Sequence, residues 1–226
     1  MSAISSATAP RTSAVQKSLS YLTGQLRQVG IRDDEVRVVG TAEIWWRVHR
    51  TEGPFVLAWN EFRHHGPVLR FDPHPEPRGD HPDHAVWYGA STPDAALAEA
   101  FQGDRTIDRV RARPYLTGLV FTRALRLLDL AADSSGAWVT RASGTFAIST
   151  APHPVTQRWA RALVEAYPDL DGVRYNSRFA GHPCAALFRP AATALPDRPV
   201  ASLPLTHPAL VTRLAGAARR LGYTVI

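Results

Sequence analysis

Glu99 lies among alanines. In 95-AALAEAF-101 it shares one side of a helix with Ala95, Ala96 and Gly103, because residues three and four apart stack on a helix surface. A carboxylate on the inward side of an apolar helix is expensive unless it is paired with a cation or used chemically. The same spacing also suits an acid at the rim of the apolar face, held in a surface ion pair. Four residues stand in order before it: Arg47 in WWRVH, Arg70 in LRFD, and Tyr88 and Ser91 in VWYGAS. Two cations, an aromatic hydroxyl, a serine and an acid make one candidate constellation.

The elements that must carry these residues can be read from periodicity and punctuation. Residues 1–18, small and polar, predict a disordered tail; Leu19, Leu22 and Leu26 predict a helix from Ser18 to the stop at Gly30. Strands are expected at 43–49 (with Arg47), 85–90 (with Tyr88), 117–122, 125–130, 172–177 and 185–189. Between the first two, 59–84 is a long irregular stretch rich in Pro, His, Gly and Asp, and such stretches in compact domains tend to be functional. Ser91-Thr92-Pro93-Asp94 predicts a helix start with a hydroxyl cap, which is the plainer role for Ser91. Further helices are expected at 153–167 and 208–221, with a closing strand at 223–226. Several strands follow one another directly, so an α+β fold is expected rather than a doubly wound sheet.

Taken in order, 47-RV-48, 70-RF-71, 88-YGASTP-93, 95-AALAE-99 and 172-GVRYNSR-178 resemble a RES-domain protein. That family takes its name from an arginine, a glutamate and a serine, which here correspond to Arg47, Glu99 and Ser177. The resemblance implies a domain over 43–192 with an ADP-ribosyltransferase-like core, a mixed or antiparallel sheet with flanking helices. It leaves 19–42 as a helical extension, with the helix and strand of 193–226 packed on the same domain. Two departures stand out. The stretch 72-DPHPEPRGDHPDH-84 is longer and more polar than the short turn expected there. Asn176 occupies a position where the family commonly has proline or another small residue.

The resemblance also implies a function. Family members are mostly toxins of toxin–antitoxin pairs that destroy NAD+ by splitting the nicotinamide–ribose bond, with water or phosphate as acceptor. Cleaving that bond develops oxocarbenium-like charge on the ribose, as in glycoside hydrolysis. Glu99 would stabilise the charge, and Arg47, Arg70 and, more remotely, Arg178 would grip the pyrophosphate through their planar forks. Tyr88 would stack on nicotinamide or hydrogen-bond the ribose, and Ser177 or Ser91 would hold a ribose or phosphate group. NAD+ is then a substrate and no cofactor is required. The implied partner is an antitoxin with a DNA-binding region, and self-association as a homodimer stays open. Two other readings remain: a mono-ADP-ribosyltransferase that modifies a macromolecule, and a non-catalytic nucleotide-binding protein.

Composition bounds the rest. The 226 residues are 45% hydrophobic and 20% charged, which excludes wholesale disorder. A net charge of +6 and a pI near 10.1 invite a nucleic-acid reading. Lys17 is the one lysine, and the arginines are scattered, apart from local concentrations at 105–113 and 217–220, so direct nucleic-acid binding is not expected. The single cysteine, Cys184, excludes an internal disulfide and a thiolate zinc site. His64, His65, His74, His81 and His84 alternate with Asp72, Asp80 and Asp83, but without helical metal-ligand spacing. They are read as solvated loop residues, with no metal. No long apolar run or signal-like N-terminus appears, and a cytoplasmic protein with no membrane partner is expected.

Overall fold

The computed structural model describes residues 14–131, 133 and 136–226. In chain order the elements are α1 (Ala14–Val29), β1 (Val36–Val39), β2 (Trp45–Arg50), β3 (His65–Gly66), β4 (Gly79–Asp80), β5 (Trp87–Ala90) and α2 (Pro93–Ala100). Then come β6 (Thr106–Ile107), β7 (Pro114–Leu119), β8 (Leu125–Asp129), α3 (Trp138–Arg141) and α4 (His153–Ala166). The chain finishes with β9 (Gly172–Asn176), β10 (Pro183–Leu187), β11 (Ala201–Pro204), α5 (Val211–Leu221) and β12 (Thr224–Val225). Eight strands form one sheet in the order β1-β8-β9-β10-β5-β2-β7-β11. β8 and β9 run parallel and the other neighbours run antiparallel, so this is the expected α+β fold with a mixed sheet.

Strand alternation divides the core into two layers. Leu128, Val173 and Ala186 face a helical layer that includes Leu97, Trp138, Trp159, Leu163 and Leu214. Their chain neighbours Leu127, Ala185 and Leu187 face the opposite side, with Trp45, Trp87, Leu119 and Phe121. Both faces are therefore covered, and β9 and β10 are buried almost throughout. Among the described residues no helix is long and apolar enough to cross a membrane.

The sheet is unevenly knitted where the candidate residues lie. β2 pairs with β7 at six positions, from Trp45↔Leu119 to Arg50↔Pro114. On its other side it meets β5 in the single pair Trp46↔Ala90. β2 and β5 therefore part, and the gap between them is free to hold something other than backbone.

Four local expectations need correction. The first helix begins at Ala14, inside the tail expected to be disordered; the rest of that tail, 1–13, lies outside the described residues. The helix is held by packing on α4, where Thr23 Oγ1 donates to Glu165 and Arg27 donates to the Glu165 carbonyl, 2.9 Å away. β1 and β11 were not expected, since each is a four-residue edge strand too short to show periodicity. The hydroxyl cap of α2 is Thr92, whose Oγ1 accepts from Ala95 N at 3.2 Å, and not Ser91. Ser91 still belongs to the end of the strand, and its N–H donates to the Pro183 carbonyl at 2.9 Å.

Candidate active site

A cavity of about 500 Å³ opens in the gap between β2 and β5. That is ample for part of a drug-sized or nucleotide ligand. Trp46, Arg47 and Val48 line it from β2, and Tyr88, Gly89 and Ala90 from β5. α2 supplies Ala96, Glu99 and Ala100, and the irregular stretch before β5 supplies Arg63, Leu69 and Arg70. Of the seven residues singled out from the sequence, four meet on this one cavity: Arg47, Arg70, Tyr88 and Glu99.

Glu99 is half-buried on α2. Among the described residues no cation forms a salt bridge with it, so the surface-ion-pair alternative does not hold. Its partner is Ser177, whose hydroxyl donates to Glu99 Oε1 at 2.7 Å. Ser177 is 3% exposed and lies just past the end of β9. Its oxygen also accepts from the N–H groups of Phe179 and Ala180, at 3.3 and 3.2 Å. The serine therefore does not line the cavity. It binds one oxygen of a carboxylate that does line the cavity, and leaves the other oxygen without a hydrogen bond from it.

The two sequence-predicted arginines of the cavity hydrogen-bond to backbone carbonyls and, among the described residues, form no salt bridge. Arg47 donates through one nitrogen to the carbonyls of Glu61 at 3.0 Å and Trp59 at 3.4 Å, and its guanidinium lies 5.4 Å from the Trp87 ring centroid. Burial, opposed by Glu61 and reinforced by the nearby Arg63, pushes Arg47 down to about 10, so it is cationic at neutral pH. Arg70 donates to the Ala151 carbonyl just before α4. Burial lowers its pKa, and the charge of Arg178 lowers it further. Cations that line a cavity without a salt-bridge partner attract an anion. Arg178 itself is exposed, packs 4.8 Å from the Phe179 ring centroid and does not line the cavity, so its influence on the site runs through Arg70. Ser91 does not line it either.

The Tyr88 ring lines the cavity while its hydroxyl is already engaged. It donates toward the Arg70 carbonyl, 2.7 Å away, and toward Asp72. Burial, and then the charge of Asp72, raise the phenol well above its usual value. Tyr88 lines the cavity with its hydroxyl committed to Arg70 and Asp72, so the hydroxyl is not free for a ribose.

Asp72 and His74 correct the reading of this loop as uniformly solvated. Both are fully buried. Asp72 accepts from Arg63, from Tyr88 and from the backbone N–H groups of Val68 and Leu69. The His74 ring donates through Nε2 to the Arg63 carbonyl at 3.2 Å. Gly66 makes room for that ring, because a Cβ there would come within 2.4 Å of it. Phe71 takes φ +58°, a left-handed conformation disfavoured for a side chain of its size. That turn sends Arg70 toward the cavity and Asp72 into the interior. α4 secures it: Gln157 donates to the Leu69 carbonyl and Arg161 to the His74 carbonyl, at 3.0 and 3.1 Å. Among the described residues no three His, Cys, Asp or Glu side chains gather as metal ligands.

A family model described as the RES domain matches residues 44–207, well over half of the chain. A chain in the crystal structure of the M. tuberculosis MbcT–MbcA toxin–antitoxin complex has a similar fold, with a TM-score of 0.51 and 14% identity. The match covers 86% of the present chain and 97% of that one. No curated protein matches the chain.

Proposed function

The chain belongs to the RES-domain family, and on that premise we propose that it is an enzyme that degrades NAD+ by cleaving the nicotinamide–ribose bond. The observation that carries this reading is the pairing of opposites in one cavity. Among the described residues neither Glu99 nor Arg47 nor Arg70 forms a salt bridge, although all three line it; Glu99 is held by a serine and the arginines by backbone carbonyls. A dinucleotide offers the complement: two phosphate charges for the arginines and a ribose that becomes cationic for the glutamate.

In this mechanism Arg47 and Arg70 bind the pyrophosphate and Tyr88 stacks against a ring of the substrate. As the bond from C1′ to the nicotinamide nitrogen breaks, its electron pair leaves with nicotinamide and neutralises the pyridinium. The cationic C1′ left behind is stabilised by Glu99, a preorganised charge worth on the order of 10²–10³ in rate. Ser177 holds the carboxylate in place. Water attacking C1′ yields ADP-ribose and a proton, and phosphate attacking yields ADP-ribose phosphate. The pyridinium is its own electron sink, so the reaction calls on no separate cofactor. The cellular role that fits is a toxin acting on cytoplasmic NAD+ and restrained by an antitoxin with a DNA-binding region. The fold shared with a chain of a toxin–antitoxin complex supports this role.

The test is NAD+ consumption by purified protein freed of any partner, in buffer with and without phosphate. Loss of NAD+ with release of nicotinamide is expected, and it should disappear in Glu99→Gln. Intact NAD+ under both conditions overturns the proposal. If labelled ADP-ribose from NAD+ appeared on protein or nucleic acid in a lysate, the acceptor would be a macromolecule instead.

A further inference from the structure

Asp72 is a carboxylate sealed inside the wall of a cavity suited to anions. The Asp72 side chain is 0% exposed, and that of its ion-pair partner Arg63 is 16% exposed. An anion buried there would ordinarily repel a phosphate-bearing ligand. Arg63 cancels that charge and is itself consumed in doing so, since it donates to Asp72 through one terminal nitrogen and to the His65 carbonyl through the other. Arg63 is thus unlike Arg47 and Arg70, which keep their charge for the cavity. The remaining Asp72 bonds run to the Tyr88 hydroxyl and to the Val68 and Leu69 N–H groups. These tie together three cavity-lining residues from two separate segments: Arg63 and Leu69 from the loop, and Tyr88 from β5.

We propose that Asp72 is a positioning residue of the site: it fixes the Tyr88 ring and the 68–72 turn as a rigid, charge-neutral wall against which the aromatic part of the dinucleotide packs. The proposal rests on the NAD+ reading above. Asp72 itself touches no substrate. Its effect passes through the ring of Tyr88 and through Arg70, whose carbonyl shares the Tyr88 hydroxyl with it.

Charge and position predict opposite outcomes for Asp72→Asn. Removing a negative charge near the cavity would, by electrostatics alone, tighten binding of an anionic ligand. Loosening the wall would weaken it. The aspartate accepts on both oxygens, from the Val68 and Leu69 N–H groups on one and from Arg63 and the Tyr88 hydroxyl on the other, so an amide must turn its NH2 toward one of these pairs and cannot keep all the bonds. Hydrogen bonds to charged groups are strong enough that roughly tenfold weaker binding is expected.

The experiment measures NAD+ affinity by calorimetry in Glu99→Gln protein, where turnover is slowed by about 10²–10³, with and without Asp72→Asn or Tyr88→Phe. Each is expected to weaken NAD+ binding, Asp72→Asn the more. The double variant should be no weaker than Asp72→Asn alone, because both changes cut the same link. Tyr88→Phe keeps the ring and the charge, so it reports even if Asp72→Asn fails to fold. Unchanged or tighter affinity in Tyr88→Phe, or tighter affinity in a folded Asp72→Asn, overturns the positioning role while leaving the NAD+ reading intact. If Glu99→Gln protein does not bind NAD+ at all, both proposals fall.

Discussion

The Ser177 hydroxyl donates to one carboxylate oxygen of Glu99 at 2.7 Å, while two backbone N–H groups, of Phe179 and Ala180, hold the serine in turn. One acid on a helix is thereby oriented by a residue 78 positions later in the chain. The relation divides labour between the two residues. Glu99→Gln removes the charge itself and should lower NAD+ cleavage by about 10²–10³. Ser177→Ala leaves the charge but frees it to rotate, and a loss of about tenfold in kcat is expected. Steady-state kinetics on both variants checks this. Equal losses would mean that Ser177 does more than orient.

Arg47 and Arg70 should act on a different constant. Both meet the cavity with guanidiniums whose hydrogen bonds run to backbone carbonyls, with no salt bridge among the described residues. If they bind pyrophosphate equally in ground and transition states, their loss raises KM and spares kcat. Arg47→Lys should raise KM for NAD+ by roughly tenfold, because an ammonium cannot keep the carbonyl contacts of Glu61 and Trp59 and also present a fork. A fall confined to kcat would place Arg47 at the bond being broken instead.

The cap of α2 offers a test with a contrast built in. Thr92 Oγ1 accepts from Ala95 N at 3.2 Å, and Ser91, one residue earlier, has no such role. Thr92→Ala should cost about 1 kcal/mol of stability, whereas Ser91→Ala should be close to neutral. Urea unfolding midpoints of the two variants decide it. α2 also carries Glu99, so Thr92→Ala should lower activity slightly as the helix start frays.

How much of this was legible in the sequence depends on how local each cause is. Glu99 could be found because alanines three and four residues away mark the inward side of its helix. Arg47 and Tyr88 could be found because each stands on a strand in a family-like order. Asp72 could not. In 72-DPHPEPRGDHPDH-84 it looks like one more solvated acid, and its burial comes from the left-handed turn at Phe71 and from α4, more than eighty residues on, closing over the loop. The site role of Arg63 and the burial of His74 are hidden for the same reason. β1 and β11 escaped because short edge strands hold their place by pairing, with Leu125–Leu128 and Tyr115–Gly118, rather than by their own periodicity. The separation of β2 from β5, which creates the cavity, is a matter of register and leaves no trace in either strand.

Buried histidines predict an acid-sensitive fold. Burial, followed by the charge of Arg47, depresses His49 to about 4. Burial also depresses His74 to about 4 against the opposing charge of Asp72, and lowers His84. The unfolded chain takes up protons on these rings near pH 6.5 while the folded chain does not, so the stability they allow is complete above about 6.5 and drains away as pH falls toward 4. Each fully buried ring contributes on the order of 1–2 kcal/mol across that window. The Tm should decline between pH 6.5 and 5, above the range where most carboxylates titrate. His49→Gln should shrink the decline. A flat Tm over that interval would show that the rings are reached by solvent.

Gly118 is the residue on which the cavity's roof depends. It stands directly across from Trp46 in the β2–β7 pair, and a Cβ there would lie 2.9 Å from the Trp46 ring. The six-membered ring of the indole therefore occupies the space that a side chain at 118 would take, and Trp46 lines the cavity. A methyl or isopropyl group at 118 must lift the ring, since the strand backbone is held by pairing with β2 and β11 on both sides. Overpacking of this kind costs about 1–3 kcal/mol. The displaced indole moves toward the space that the substrate needs, so activity should suffer beyond what the stability loss explains. Gly118→Val is expected to lower kcat/KM for NAD+ by at least tenfold at a temperature where the variant is fully folded, with Gly118→Ala intermediate. Trp46→Leu in the Gly118→Val background relieves the clash and should restore stability. If it restores activity as well, Trp46 acts only as a spacer; if activity stays low, the indole is itself part of the surface that the substrate meets.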